Sequence, residues 1–92
     1  MLIALVRDDS MLPFLRVGDY VGGPVLARPD YGKEQGNICI IEMKESEFLI
    51  RQLFIRDDKI LLLSKNPDTE NSFLLLDEDP LKVAPLTFMR RF

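Results

Sequence analysis

Ser10 stands in the stretch Asp8-Asp9-Ser10-Met11-Leu12-Pro13, between the apolar run Leu2-Ile3-Ala4-Leu5-Val6 and a proline-bearing turn, with Val17-Gly18-Asp19-Tyr20-Val21 close behind. This order places a small hydroxyl at the exposed mouth of a strand, where a nucleophile would sit. A serine hydroxyl is a weak nucleophile at neutral pH and works only beside a group that takes its proton. The chain has no histidine and a single cysteine, which excludes a Ser-His-Asp triad, a zinc cage and an intrachain disulfide. Lys33, Lys44, Lys59, Lys65 and Lys82 all fall in or beside polar breaks, where an ammonium remains solvated and charged. None of them reads as a buried, neutral base.

The two words around Ser10 resemble the signature of the LexA/UmuD-like Ser-Lys peptidases, in which a valine-rich strand runs into Gly-Asp-Ser-Met-x-Pro and then a Gly-Asp. Asp9, Ser10, Met11 and Pro13, followed by Gly18 and Asp19, match that motif, while Asp8 stands where the family often has glycine. The resemblance implies that a lysine on a later strand, in a word of the type Val-Lys-Arg-Leu, accepts the serine proton. The matching word here is Phe48-Leu49-Ile50-Arg51-Gln52-Leu53, and the position holds Arg51. A guanidinium has a pKa above roughly 12 and does not deprotonate in proteins, so Arg51 is not competent as the base. The same residue interrupts an apolar strand, so its head must find a partner, and Asp8, Asp9 and Asp19 are the candidate carboxylates for a structural lock. Two further words extend the likeness. Lys59-Ile60-Leu61-Leu62-Leu63-Ser64-Lys65-Asn66-Pro67 is similar to the family's strand ending in Ser-x-Asn-Pro, and Val83-Ala84-Pro85-Leu86-Thr87-Phe88-Met89-Arg90-Arg91 is similar to its closing strand.

The elements that must carry these residues are read from periodicity and punctuation. Leu2 to Val6 is short and apolar without clear alternation, which suits a strand buried on both sides. Met11 to Val17 has the only helical spacing and predicts one short helix or 3₁₀ turn. Tyr20-Val21 starts a strand that Gly22-Gly23-Pro24 bends or interrupts and that Val25-Leu26-Ala27 resumes. Arg28 to Gly36, rich in Pro, Asp, Gly, Lys and Glu, reads as a long polar loop. From there on, Asn37 to Met43, Phe48 to Ile55, Lys59 to Ser64, Ser72 to Leu76 and Leu81 to Met89 are strands bounded by turn residues. The expected fold is mainly β, one domain over residues 1–92: a small twisted sheet or partly closed barrel of about seven strands with one short helix or turn.

Composition bounds the partners. The formal charge of −3 argues against this domain gripping a phosphate backbone by itself, and no apolar run approaches the roughly 18 residues that cross a bilayer. Cys39 lies among apolar neighbours and reads as a small buried residue. Asp77-Glu78-Asp79, next to Pro80, reads as a solvated turn, since no EF-hand spacing surrounds it. No cofactor or metal is expected. No basic start followed by an apolar core reads as a signal segment, so the cytoplasm is the default expectation, and the resemblance implies the carboxy-terminal dimerisation and regulatory domain of a phage-repressor-like transcription regulator of the SOS-response type. It would pair as a homodimer, serve an amino-terminal helix-turn-helix domain of a longer chain or of a partner repressor, and touch DNA only indirectly. With Arg51 at the base position it would be a pseudo-enzyme. The alternatives are an active self-cleaving peptidase using Ser10 with a lysine from another position, and a free-standing antirepressor-like binding module. An OB-like module binding single strands would need exposed aromatics among basic residues, whereas Phe48, Phe54, Phe73 and Phe88 sit within apolar strands and read as core.

Overall fold

A computed structural model of the chain describes residues 1–44, 47–66 and 73–91. Antiparallel strands build two sheets among them. Strands β1 (Leu2–Leu5), β2 (Tyr20–Gly23) and β8 (Phe88–Arg90) form one sheet in the order β1-β2-β8. Strands β3 (Ile38–Glu42), β4 (Phe48–Arg56), β5 (Lys59–Leu63), β6 (Phe73–Leu75) and β7 (Lys82–Pro85) form the other in the order β6-β5-β4-β3-β7. The mainly-β expectation holds, with two small sheets and a 3₁₀ segment at Arg28–Glu34.

The larger sheet is apolar on both faces at its centre, and this follows from strand alternation. Ile40, Ile50 and Ala84 pack with Leu2, Ala4, Val6, Met11, Leu15 and Val21 of the neighbouring sheet and its turn. Their sequence neighbours Cys39, Ile41 and Val83 pack instead with Leu53, Ile60, Leu62 and Tyr31. Because β3 has a hydrogen-bonded neighbour on each side, Cys39, Ile40 and Ile41 are all fully buried. A central strand needs no polar face. The β4–β5 hairpin closes through Asp57-Asp58, with φ of 51° and 63°, the left-handed pair that a two-residue type I′ turn requires.

Several expectations change. Strand β1 is not buried on both sides, since Leu2, Ala4 and Val6 face the core while Ile3 and Leu5 are exposed; it is an edge strand over a two-sheet core, covered on one face only. Of the two forms expected for Met11 to Val17 the turn is the one observed, with Phe14 N and Leu15 N both donating to Met11 O and a cis Leu12–Pro13 bond. Val25 to Ala27 does not resume β2; only Leu26 N reaches the other sheet, at Val83 O. The segment read as a polar loop is mostly the 3₁₀ helix, entered at Pro29 and anchored by buried Tyr31. One aromatic anchor fixes a segment that shows no periodicity.

The last expected strand is two strands in different sheets. Leu86 N still donates to Ile38 O of β3, and the next residue, Thr87 N, donates to Gly22 O of β2. The chain crosses between sheets at that peptide. Gly22 and Gly23 make the crossing possible: a β-carbon on Gly23 would overlap the Pro85 carbonyl oxygen, and one on Gly22 would overlap the Phe88 ring. Of the expected strand Ser72 to Leu76, Phe73–Leu75 is observed and Ser72 lies outside the described residues; Phe73, Phe48 and Phe88, read as core, are exposed instead, because each lies on a strand face that no second layer covers.

Candidate functional site

Ser10 lies in the turn that follows β1, five residues past the strand's end at Leu5, and three elements hold it. Asp8 folds back over the turn so that its Oδ1 accepts from Ser10 N at 3.0 Å, the side-chain-to-backbone closure that aspartate makes two residues ahead of itself. The loop after β5 supports the turn from beneath: Lys65 N and Asn66 N donate to Ser10 O at 3.0 and 2.9 Å, and Asn66 Nδ2 donates to Asp9 O at 2.9 Å. Lys65 and Asn66, from the word that follows β5, are therefore a clamp on the serine turn. Strand β4 brings the third group, Arg51, opposite Cys39 of β3.

Around the hydroxyl the three side chains form one network. Ser10 Oγ donates to Asp8 Oδ1 at 2.6 Å and accepts from Arg51 Nη1 at 2.7 Å. Arg51 Nη1 also donates to Ile50 O at 2.9 Å, and Nη2 lies 3.8 Å from Asp8 Oδ2. Ser10 is 1% exposed, so it does not stand at an open mouth as the sequence suggested. Arg51 and Asp8 cover it at the floor of a groove of about 460 Å³, flanked by Leu5 and Phe48.

The chemistry of this network is that of a held serine. Arg51 places a permanent donor on the oxygen where a general base would place an acceptor. Burial pushes the Asp8 carboxyl up, but the Ser10 hydroxyl and N–H and the Arg51 charge outweigh it and hold it below its usual range. A carboxylate in that state is a poor base near neutral pH, because proton transfer is efficient when the acceptor's pKa lies near the working pH. Asp8 thus accepts the hydroxyl's hydrogen bond without serving as a useful acceptor of its proton.

The other motif residues fall into place around this centre. Met11 is buried in the inter-sheet layer, and Pro13 is exposed on the turn. Gly18 adopts a φ of 98°, open to glycine at little cost, and its N–H bonds Val6 O at 2.9 Å. Asp9 contributes its carbonyl, not its carboxylate. Asp19 is buried and pairs with Arg91: Nη2 donates to Oδ2 at 2.9 Å and Nε to Oδ1 at 3.1 Å, while Arg16 N donates to Oδ2 at 2.9 Å. Of the three carboxylates considered for Arg51, Asp8 is the one beside it. Lys65, the lysine whose backbone touches Ser10, holds its ammonium over the Phe14 ring, 5.3 Å from the centroid.

Elsewhere, Cys39 is fully buried, and burial with the nearby Glu34 charge pushes its thiol up to about 12, which leaves it unreactive. In the acidic turn, Glu78 pairs with Lys44 at 2.9 Å and Asp79 with Arg28 at 3.2 Å. Among the described residues no three His, Cys, Asp or Glu side chains group as metal ligands, and no helix is long and apolar enough to cross a membrane.

Sequence reasoning placed Ser10 and Arg51 together and saw Asp8 as a departure, but missed Asp8 as the hydroxyl's acceptor and Asn66 as the clamp. The Asp-x-Ser spacing was the available signal for the first. Comparison with curated proteins and with solved structures gave no match. A family model described as Peptidase S24-like matches residues 1–83, a span that takes in the Asp9-Ser10-Met11 motif, the Arg51 strand and the Asn66 clamp. The chain belongs to the Peptidase S24-like family.

Proposed function

We propose that the chain acts as the carboxy-terminal dimerisation and regulatory domain of a phage-repressor-like, helix-turn-helix transcription regulator, and that its autoproteolytic step has been lost. The observation that carries the second half is the hydrogen bond from Arg51 Nη1 to Ser10 Oγ at 2.7 Å. A cation that cannot lose its proton occupies the serine oxygen, and Asp8, the carboxylate bonded to that hydroxyl, is held in its weakly basic form. Lys65, whose backbone touches Ser10, has its ammonium engaged over Phe14.

The regulatory half rests on family membership and on the outer face of the smaller sheet. Cross-strand register aligns Ile3 with Gly22 and Phe88, and Leu5 with Tyr20 and Arg90. Ile3, Leu5, Tyr20 and Phe88 are all exposed there, and clustered apolar exposure on a sheet face supports self-association. Pairing two copies would let two weak DNA contacts act as one through effective concentration, in the cytoplasm where the DNA is, while this domain, with its net charge of −3, would leave the phosphate backbone to the helix-turn-helix.

The test is the intact mass of the protein in its native host before and after DNA damage, with a Ser10→Ala host in parallel. A longer chain that stays whole in both hosts supports the reading. A species of 10.6 kDa in both hosts points to a free-standing module that caps a partner repressor. Shortening after damage that requires Ser10 overturns the loss of proteolysis.

A further inference from the structure

Arg51 is half of the network that holds Ser10, and Asp8 is the other half. Its Oδ1 takes both the Ser10 hydroxyl at 2.6 Å and the Ser10 N–H at 3.0 Å, while its Oδ2 faces Arg51 Nη2 at 3.8 Å. A carboxylate so placed favours the charged form of any cation carried at position 51. We propose that Asp8 is a positioning residue that, together with position 51, decides whether Ser10 can act as a nucleophile. The inference rests on the reading that Ser10 is silent in the native protein. Exchanging Arg51 for an amine supplies a group able to lose its proton, but beside Asp8 that amine stays charged at neutral pH and Ser10 remains silent. Only an amine at position 51 together with loss of the Asp8 charge frees the serine.

The other charged groups of the groove do not alter this logic. Arg7 and Glu47 also line it, one of each sign and both exposed, and the Lys65 ammonium lies over Phe14. Asp8→Asn is the suitable change, because an amide oxygen still accepts from Ser10 N and preserves the turn while the charge is lost.

The experiment labels the protein with a fluorophosphonate from pH 6 to 11. In a productive event the Ser10 hydroxyl passes its proton to the neutral amine at position 51, an Oγ–P bond forms, the P–F bond breaks, and fluoride leaves with the electron pair. Wild type, Arg51→Lys, Asp8→Asn/Arg51→Lys and the latter with Ser10→Ala are compared, with near-ultraviolet circular dichroism as the check on fold. The expected result is a silent wild type and an Arg51→Lys variant whose labelling rises only at or above the ordinary lysine value of about 10.4. The double variant should label at least about tenfold faster at pH 8, since each unit by which the amine's pKa falls raises its neutral fraction about tenfold, and Ser10→Ala should abolish this.

Two results overturn the role of Asp8 while leaving the silent-serine reading intact: Arg51→Lys labelling with the same pH profile as the double variant, or a folded double variant silent throughout. Ser10-dependent labelling of the wild type overturns the silent-serine reading itself. Should the double variant fail to fold, Arg51→Lys alone decides, because a labelling midpoint well below the ordinary lysine value shows that Asp8 does not hold the charge.

Discussion

An arginine whose side chain is 14% exposed must satisfy its donors within the protein, and Arg51 does so on Ser10 Oγ and Ile50 O, with Asp8 alongside. The two ends of the Arg51–Asp8 pair are unequal, since the Asp8 side chain is 60% exposed and water can solvate it when the pair is broken. The stabilisation therefore lies mainly in the guanidinium's hydrogen bonds and its buried stem, and little in the ion pair. Arg51→Ala is expected to cost about 1.5–3 kcal/mol, the range for hydrogen bonds to charged groups, read from urea denaturation at neutral pH. A loss under about 0.5 kcal/mol is ordinary surface behaviour and would remove the structural role. At this scale the sequence was legible in residue types: a serine in a recognisable motif and an arginine where an amine belongs. It offered Asp8 as one of three partners for Arg51 but did not disclose that the same carboxylate accepts from the Ser10 hydroxyl, because an aspartate two residues before a serine closes a local turn in many proteins, and only the approach of β4 makes that turn part of a site.

Strands β3, β4 and β5 were legible because each is an apolar run ended by turn residues, and the register of β4 on β5 follows from the two-residue Asp57-Asp58 turn. The break inside Leu81 to Met89 was not, since an apolar run carries no mark of which sheet it joins. Gly22-Gly23 hinted at it without saying what comes close. The backbone passes from β3 to β2 between Leu86 and Thr87, and the glycine pair is the surface it passes over. The two glycines should respond differently. On Gly23 a β-carbon meets the Pro85 carbonyl, which is backbone next to the crossing and cannot rotate away, whereas on Gly22 it meets the far edge of the half-exposed Phe88 ring, which can swing aside. Gly23→Ala is expected to cost about 3 kcal/mol, at the upper end of overpacking, and Gly22→Ala distinctly less, compared through their urea midpoints. Equal midpoints would mean that the strand switch tolerates displacement and does not fix the sheet-to-sheet geometry.

The same switch returns the end of the chain to its beginning, and a second carboxylate–arginine contact fastens it there. Asp19 accepts from Arg91 just beyond β8 and from Arg16 N in the turn that follows Ser10, while Arg91 Nη2 also reaches Phe14 O at 3.4 Å. The motif's Gly18-Asp19 thus serves closure of the molecule around the serine turn, a role that the spacing of the motif could not reveal because the partner lies 72 residues away. The Arg91 hydrogen bonds and the Arg16 N–H hold the Asp19 carboxyl below its ordinary range. A depressed native pKa means that the unfolded chain binds the proton first, near its reference value of about 3.9. The stability contributed by Asp19 is accordingly full above that pH and is lost as pH falls through the lower native value. Melting temperature followed from pH 6 down to pH 2 should fall over that window, and Asp19→Asn should melt lower at pH 6 yet lose less on acidification. Arg91→Gln should reproduce that flattening. If both variants keep the full acid slope of the parent, the titration resides in other carboxylates, and the tie between the serine turn and the end of the chain contributes nothing measurable to the stability of the whole.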